Sequence, residues 1–376
     1  MKFCFFHLMP WPDLAAPPTD WPVSNRGFDG VRAKQLYDAY TDTMVFAESC
    51  GFDWVGCNEH HFSPYGLMSN CNLVGAQLAH RTKSIGLAML GNLVPLLNPV
   101  RVAEEYAMLD CMSGGRLIAG FVRGIPHEYI AYNVAPSESR GRMREAIELI
   151  LKCWTEPEPF GWEGEFYQFP SISIWPKPFQ KPMPQMLMSA SNEESAEFVG
   201  RFPSMMGMTL IPNLAVARKA IDVYRDTARA HGHEVTPEHV LTGHHTCIAD
   251  TDEEAKEHMR GALDYFHNVL MRPQQQAQAL VVEGTQFFSK PELGQGFTKR
   301  LETLRERTLE EQIDAGTILC GSPESVVRQI RRIAAELGSG RINMNMKIGN
   351  LPDDVVRRGM ELFRDRVRPE LEDVLG

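Results

Sequence analysis

Short apolar runs recur along this chain, separated by stretches in which apolar positions return with a helical period. Residues 3–8, 53–57, 84–90, 117–122, 186–189, 205–210, 240–249 and 341–348 read as strands buried on both faces, bounded by turn residues. Between them, 34–50, 73–80, 100–112, 140–154, 193–200, 214–231, 252–271, 323–337 and 353–371 carry the helical pattern. In the first of these the apolar positions are 36, 37, 40, 44, 45 and 47, and Gly51 follows as a C-cap. Eight strands alternating with helices predict an α/β fold, a (β/α)8 TIM barrel. A doubly wound sheet is the competitor. The first strand is not followed by a compact G-x-G-x-x-G turn, which weakens its dinucleotide-binding form.

Two segments break the rhythm. Residues 155–184 are rich in Pro, Trp and Phe and predict an excursion with short extended pieces. From Arg272 to Arg307, a glutamine run followed by Gly284, Pro291, Gly294 and Gly296 opposes a core helix. A connection that long is a surface excursion or an active-site lid. No internal repeat stands out, and the whole of 1–376 reads as a single domain.

Composition narrows the function classes. A net charge of -10 with no Lys/Arg block argues against nucleic acid as a partner. No run reaches the roughly 20 apolar residues needed to cross a bilayer, and Met1-Lys2-Phe3-Cys4 opens a strand rather than a signal peptide. A cytoplasmic protein without membrane contact is expected. The eight cysteines are scattered, with no CxxC or CxxH, and read as reduced, buried thiols.

The candidate chemistry begins at Asn58-Glu59-His60-His61-Phe62, just past the second strand. The carboxyl ends of parallel strands are where such folds place their sites. A neutral imidazole there can accept a proton near pH 7. Successive residues of an extended chain point to opposite sides, so joint metal ligation by His60 and His61 is awkward and no metal is expected. Arg123 and Gly124 end the fourth strand on the same rim, where a guanidinium can hold an anion or simply face solvent. The turn from Ser189 to Ser195 opens a helix; its serines cap that helix, and its amides suit a phosphate.

These residues resemble the bacterial luciferase-like flavin monooxygenases, nearly end to end. The resemblance is carried by Cys50-Gly51-Phe52-Asp53 leading to Glu59-His60-His61-Phe62, and by Pro99-Val100-Arg101 with Glu104, Leu109 and Asp110. It continues through Ser113-Gly114-Gly115-Arg116, Val122-Arg123-Gly124, Glu138-Ser139-Arg140 and Cys320-Gly321-Ser322-Pro323. It implies a barrel that binds reduced FMN at its carboxyl-terminal rim and reacts it with O2 to a C4a-peroxyflavin. It assigns proton handling to His60 and flavin binding to Arg123, Ser191 and Ser195, with Arg101 as a further candidate. It also implies a non-proline cis peptide near Ala88, Met89 and Leu90. The expected partners are a separate NAD(P)H:flavin reductase, a small hydrophobic organic substrate and a second copy of the chain in a homodimer. The 272–307 segment matches the family's mobile loop. Val122 stands where the light-emitting subunit carries a reactive cysteine, so nothing argues for light emission. The long loop 9–30 brings Trp11, Trp21 and Phe28 toward the rim, which points to a bulky apolar substrate. A deazaflavin (F420)-dependent oxidoreductase on the same barrel, or a noncatalytic flavin-binding subunit, is the alternative.

Overall fold

The computed structural model describes residues 1–14, 16–19, 21–272 and 307–374. Its strands are β1 (Lys2–His7), β2 (Trp54–Cys57), β3 (Gly86–Leu93), β4 (Leu117–Val122), β5 (Phe160–Glu163), β6 (Gln168–Ile172), β7 (Gln185–Ser189), β8 (Met205–Met208), β9 (Val240–Ile248), β10 (Ile318–Gly321) and β11 (Arg341–Lys347). Eight of them, in the order β1-β2-β3-β4-β7-β8-β9-β11, pair in parallel, and β11 returns to β1. The protein is a (β/α)8 TIM barrel. Each strand expected from the apolar runs falls on one of these eight.

Residue alternation along the strands separates the interior from the helical jacket. A Cβ added to Gly56 would meet the side chains of Phe6, Cys4 and Leu90, which therefore fill the barrel. Phe3 and Phe5 point the other way, against Phe363 at 5.1 Å and Phe52 at 5.6 Å between ring centroids. At the amino end of the strands the Arg341 guanidinium lies 3.8 Å from the Trp54 ring centroid and plugs the barrel floor. Both faces of the strands are buried, which is why they read as continuous apolar runs.

Local signals set the helix ends. The Asn98 side chain accepts from the Val100 and Arg101 amides and caps Pro99–Ser113, which ends at Gly114 with φ 67°. The helix Gly30–Ser49 starts four residues before position 34, because the Asp29 carboxylate caps a first turn whose Val31 faces solvent and breaks the apolar period. Three short elements escape the periodic pattern, among them the six-residue helix Leu309–Asp314. One is β10, which pairs with the upper end of β9. Another is the six-residue helix Pro126–Ala131. Strands β5 and β6 form an antiparallel hairpin within the 155–184 excursion.

All eight cysteines are free; seven are buried, while Cys111 is exposed at the surface of its helix. Among the described residues no helix is long and apolar enough to cross a membrane. The segment expected to act as a lid, 272–307, lies outside the described residues except for its two ends. At one end Arg307 donates to the Pro212 carbonyl at 2.8 Å.

Candidate active site

The two adjacent histidines after β2 have different surroundings. His61 is buried: its Nε2–H donates to Glu59 Oε1 at 3.3 Å, and its Nδ1 accepts from the Tyr132 hydroxyl at 3.0 Å. Its carbonyl takes a third bond, from His127 Nε2 at 3.0 Å. Both ring nitrogens and the carbonyl of His61 are thereby committed to holding the loop. His60 keeps 19% of its side chain exposed and meets the Tyr65 ring edge-on at 4.5 Å. Phe62 follows with φ 52°, a conformation bulky side chains rarely adopt, and turns the chain back over the rim. Among the described residues no group of three or more His, Cys, Asp or Glu could hold a metal ion.

His60 is oriented by a residue from another element. Its Nδ1 lies 3.0 Å from Glu128 Oε1, and Glu128 Oε2 accepts from the Ile125 amide at 2.8 Å. The Glu128 carboxyl is fully buried. Burial by itself would raise its pKa; the bonds and charges of the His60 side reverse this and hold it below the ordinary carboxylate value. An ionised carboxylate only accepts, so His60 Nδ1 carries a proton toward Glu128, and Nε2 is the ring atom left to give or take one. Sequence reading passed over Glu128. The available signal was local: Pro126 and Glu128 sit at the first and third positions of a helix start, where proline and acidic residues are favoured.

A second cluster forms at the ends of β4 and β7. Arg123 follows β4 and is exposed, its carbonyl held by the Tyr129 hydroxyl at 3.0 Å. Gly124 beside it has φ 98°, which favours glycine. Arg140, in the first turn of Ser139–Thr155, donates to Glu194 Oε2 at 2.7 Å. Burial first, and then the charge of Arg123, lowers the Arg140 pKa, which places the two guanidinium groups in each other's field. Glu194 belongs to the helix Glu193–Gly200 that follows Ser191 and Asn192. There the Ser195 hydroxyl accepts from the Ser191 and Asn192 amides at 3.0 and 3.1 Å, while Asn192 Oδ1 accepts from the Ser195 amide at 2.9 Å. The structure therefore joins Arg123, Ser191 and Ser195 through Arg140 and Glu194. The Ser191, Asn192 and Ser195 amides are taken up within the turn, so the donors this cluster offers a phosphate are the two guanidinium groups. Arg140 was visible in Glu138-Ser139-Arg140 but had no local reason to be chosen.

Arg101 takes a different position. It is exposed on the helix Pro99–Ser113 and donates to Glu105 at 2.6 Å; Glu105 in turn accepts from Asn72 at 2.8 Å. Along β3, Ala88 pairs with Gly56, Met89 packs its sulfur toward Gly75 of the neighbouring helix, and Leu90 points into the barrel. The cis peptide lies at Leu90–Gly91, at the end of the expected region. A Cβ on Gly120 would overlap the Met89 carbonyl, so β3 and β4 approach here more closely than side chains allow.

The profile of the luciferase-like monooxygenases matches residues 20–340. The chain belongs to this family. Over 357 residues, 92% of this chain and 96% of the relative, it is 25% identical to the alkanal monooxygenase alpha chain of Photobacterium leiognathi. It is 30% identical over 239 residues to the oxygenase component of a flavin-dependent trigonelline monooxygenase from Acinetobacter baylyi, covering 61% of this chain and 64% of that one. Among solved structures, the monooxygenase RslO1 from Streptomyces bottropensis superposes with a TM-score of 0.76 at 26% identity, covering 98% and 99% of the two chains. The fold alone is shared with the FMN complex of a 3,6-diketocamphane monooxygenase from Pseudomonas putida, at TM-score 0.75 and 20% identity over 98% of each chain. It is likewise shared with an F420-dependent secondary alcohol dehydrogenase, at TM-score 0.68 and 15% identity over 99% of each chain. A luciferase-like monooxygenase is a flavoprotein, and the Arg123, Arg140 and Ser191 cluster has the chemistry to hold the phosphate of a flavin nucleotide.

Proposed function

We propose that this protein is the oxygenase of a two-component system. It takes reduced FMN from a separate NAD(P)H:flavin reductase and uses O2 to oxygenate a hydrophobic organic substrate by the C4a-peroxyflavin route. The observation that carries this reading is a proton-handling pair, His60–Glu128, beyond β2, together with a phosphate-binding donor set beyond β4 and β7. Both stand at the carboxyl ends of strands, where barrel enzymes assemble their sites.

The flavin would supply oxygen activation. This chain's residues do the rest. Arg123 and Arg140 hold the phosphate beside the Ser191–Ser195 turn, with Glu194 as the carboxylate that the phosphate displaces from Arg140. Glu128 fixes His60 through Nδ1, so that Nε2 is the atom that moves a proton. Aromatic groups line the rim: Trp21 stands 6.0 Å from the His127 ring, and Trp11 packs on Phe28 at 5.5 Å. Trp11 is buried and anchors the loop, whereas Phe28 is exposed. Such a wall excludes water from a reactive intermediate and favours an apolar substrate.

A homodimer is part of the proposal. Leu73, Met108 and Met112 are more than half or about half exposed on two helices that pack together, Cys71–Arg81 and Pro99–Ser113. Exposed apolar side chains grouped this way suit burial against a second copy.

Anaerobic protein loaded with reduced FMN and mixed with oxygenated buffer in a stopped-flow spectrometer tests the function. A flavin–oxygen intermediate that persists and is consumed faster with substrate is expected. Direct conversion to oxidised FMN, with turnover instead on reduced F420, would replace this reading with deazaflavin hydride transfer.

A further inference from the structure

The barrel interior carries buried polar groups that neither the His60–Glu128 pair nor the phosphate cluster uses. Asn345 pairs in register with His245 of β9 on one side and with Phe6 of β1 on the other. Phe6 faces the interior with Gly56, so this level of β9 and β11 faces inward as well. Asn345 Nδ2 lies 3.0 Å from His245 Nδ1. His245 Nε2 and Asn345 Oδ1 have no hydrogen-bond partner among the described residues, although both side chains are buried, at 6% and 5% exposure. Asn58, past the end of β2 and beside Gly66 near His60, is a third such side chain. An unpartnered buried polar atom has lost its hydration without gaining a bond in return. Asn343, one inward position below Asn345, also lacks partners, but His245 and Asn345 stand in register with their open atoms side by side, and such a pair indicates a ligand that satisfies it.

The electrostatics fix what the pair offers. His245 is neutral, because burial opposes its charged form and the neighbouring His267 and His244 oppose it further. With Nδ1 accepting from Asn345, the ring proton sits on Nε2. The site thus presents one uncharged N–H donor with a carbonyl acceptor close by. It suits a neutral carbonyl oxygen, and an N–H or O–H adjacent to that oxygen would add a second bond. It does not suit a phosphate or a free alkyl chain. His245 is separated from His60 by two aromatic rings. Phe266 lies 5.1 Å from His245 and 5.6 Å from Tyr65, which stands 4.5 Å from His60. His245 and His60 thus belong to one aromatic wall, on which a group held at His245 contributes recognition while His60 handles the proton.

We propose that His245 and Asn345 form a polar subsite for a carbonyl oxygen of the organic substrate. The enzyme then prefers a ketone, lactone or lactam over a hydrocarbon of the same shape. This rests on the oxygenase reading and narrows its substrate class.

The test uses the full chain loaded with oxidised FMN, titrated with matched probes by ligand-observed NMR: camphor against bornane, and cyclohexanone against cyclohexane. The carbonyl member should bind about tenfold tighter than its hydrocarbon partner, the worth of one buried hydrogen bond. His245→Phe, which keeps a ring against Phe266, should erase that preference, and His245→Gln, which keeps a donor, should retain part of it. FMN affinity should stay within twofold in both variants. Absence of a carbonyl preference in the wild-type protein, binding failure included, overturns the proposal, as does a preference that survives in His245→Phe. A large loss of FMN affinity in His245→Phe also overturns it, since the pair would then serve the flavin. Failure of the wild-type chain to bind FMN, reduced as well as oxidised, would instead strike the oxygenase reading.

Discussion

His60 and Glu128 meet at 3.0 Å although 68 residues separate them in the chain. The carboxylate sets the tautomer of the imidazole, so Glu128→Gln should lower oxygenation turnover by at least about tenfold while leaving FMN affinity within twofold. His60→Ala should be at least as damaging, with little change in unfolding midpoint. Steady-state product formation and FMN titration together check both; equal turnover in Glu128→Gln would remove its positioning role.

Arg123→Ala and Arg140→Ala should each weaken FMN binding about tenfold or more, since a guanidinium–phosphate contact is charge-assisted. Glu194→Gln should act in the opposite direction, because it frees Arg140 from its carboxylate partner. Fluorescence titration with riboflavin, which lacks the phosphate, is the control. If the variants alter riboflavin and FMN binding equally, the cluster does not hold the phosphate.

Gly120→Ala should be severely destabilising. The added methyl would overlap the Met89 backbone carbonyl, and backbone cannot move aside as a side chain can. A loss above the usual range of about 1–3 kcal/mol for overpacking is expected in urea denaturation. Gly114→Ala, where a Cβ would meet no atom within 4 Å, should lose less, through its φ of 67° alone.

Acid should weaken the fold through its buried histidines. Burial pulls His127 and His244 down to about 4 and His245 to about 3; Glu128 partly offsets this for His127, and the Gly316 carbonyl does so for His244. In the unfolded chain these groups protonate near 6.5. Between about pH 6.5 and pH 4 the unfolded state therefore binds protons that the folded state refuses, and stability falls as pH falls. Each histidine contributes at most about 1.4 kcal/mol per pH unit in that window, and nothing above it. His244→Gln should flatten the slope by up to one such increment in urea titrations at pH 7.5 and pH 5. An unchanged slope would mean that His244 is protonated in the folded protein.

Replacing Met108 and Met112 together by lysine should dissociate the proposed dimer without unfolding the chain. Sedimentation velocity reads the result directly. A wild-type monomer, or a dimer untouched by the double variant, would move the interface elsewhere.

The sequence by itself determined the barrel and the place of His60. Eight apolar runs of strand length, each followed by a helical period or a cap such as Asn98, are local patterns, and burial on both faces makes them continuous. The turn chemistry at Ser191–Ser195 was legible for the same reason, since Asn192 and Ser195 satisfy each other within one helix start. The short helix Pro126–Ala131 was lost because six residues give too little period to read. Only the closed barrel decided that Glu128 reaches His60, that Arg140 stands beside Arg123, and that His245 and Asn345 face inward together. Those pairings depend on ring closure and strand register. A shift of one residue along β9 or β11 would turn the polar pair out into the helices without changing any local hydrophobic pattern.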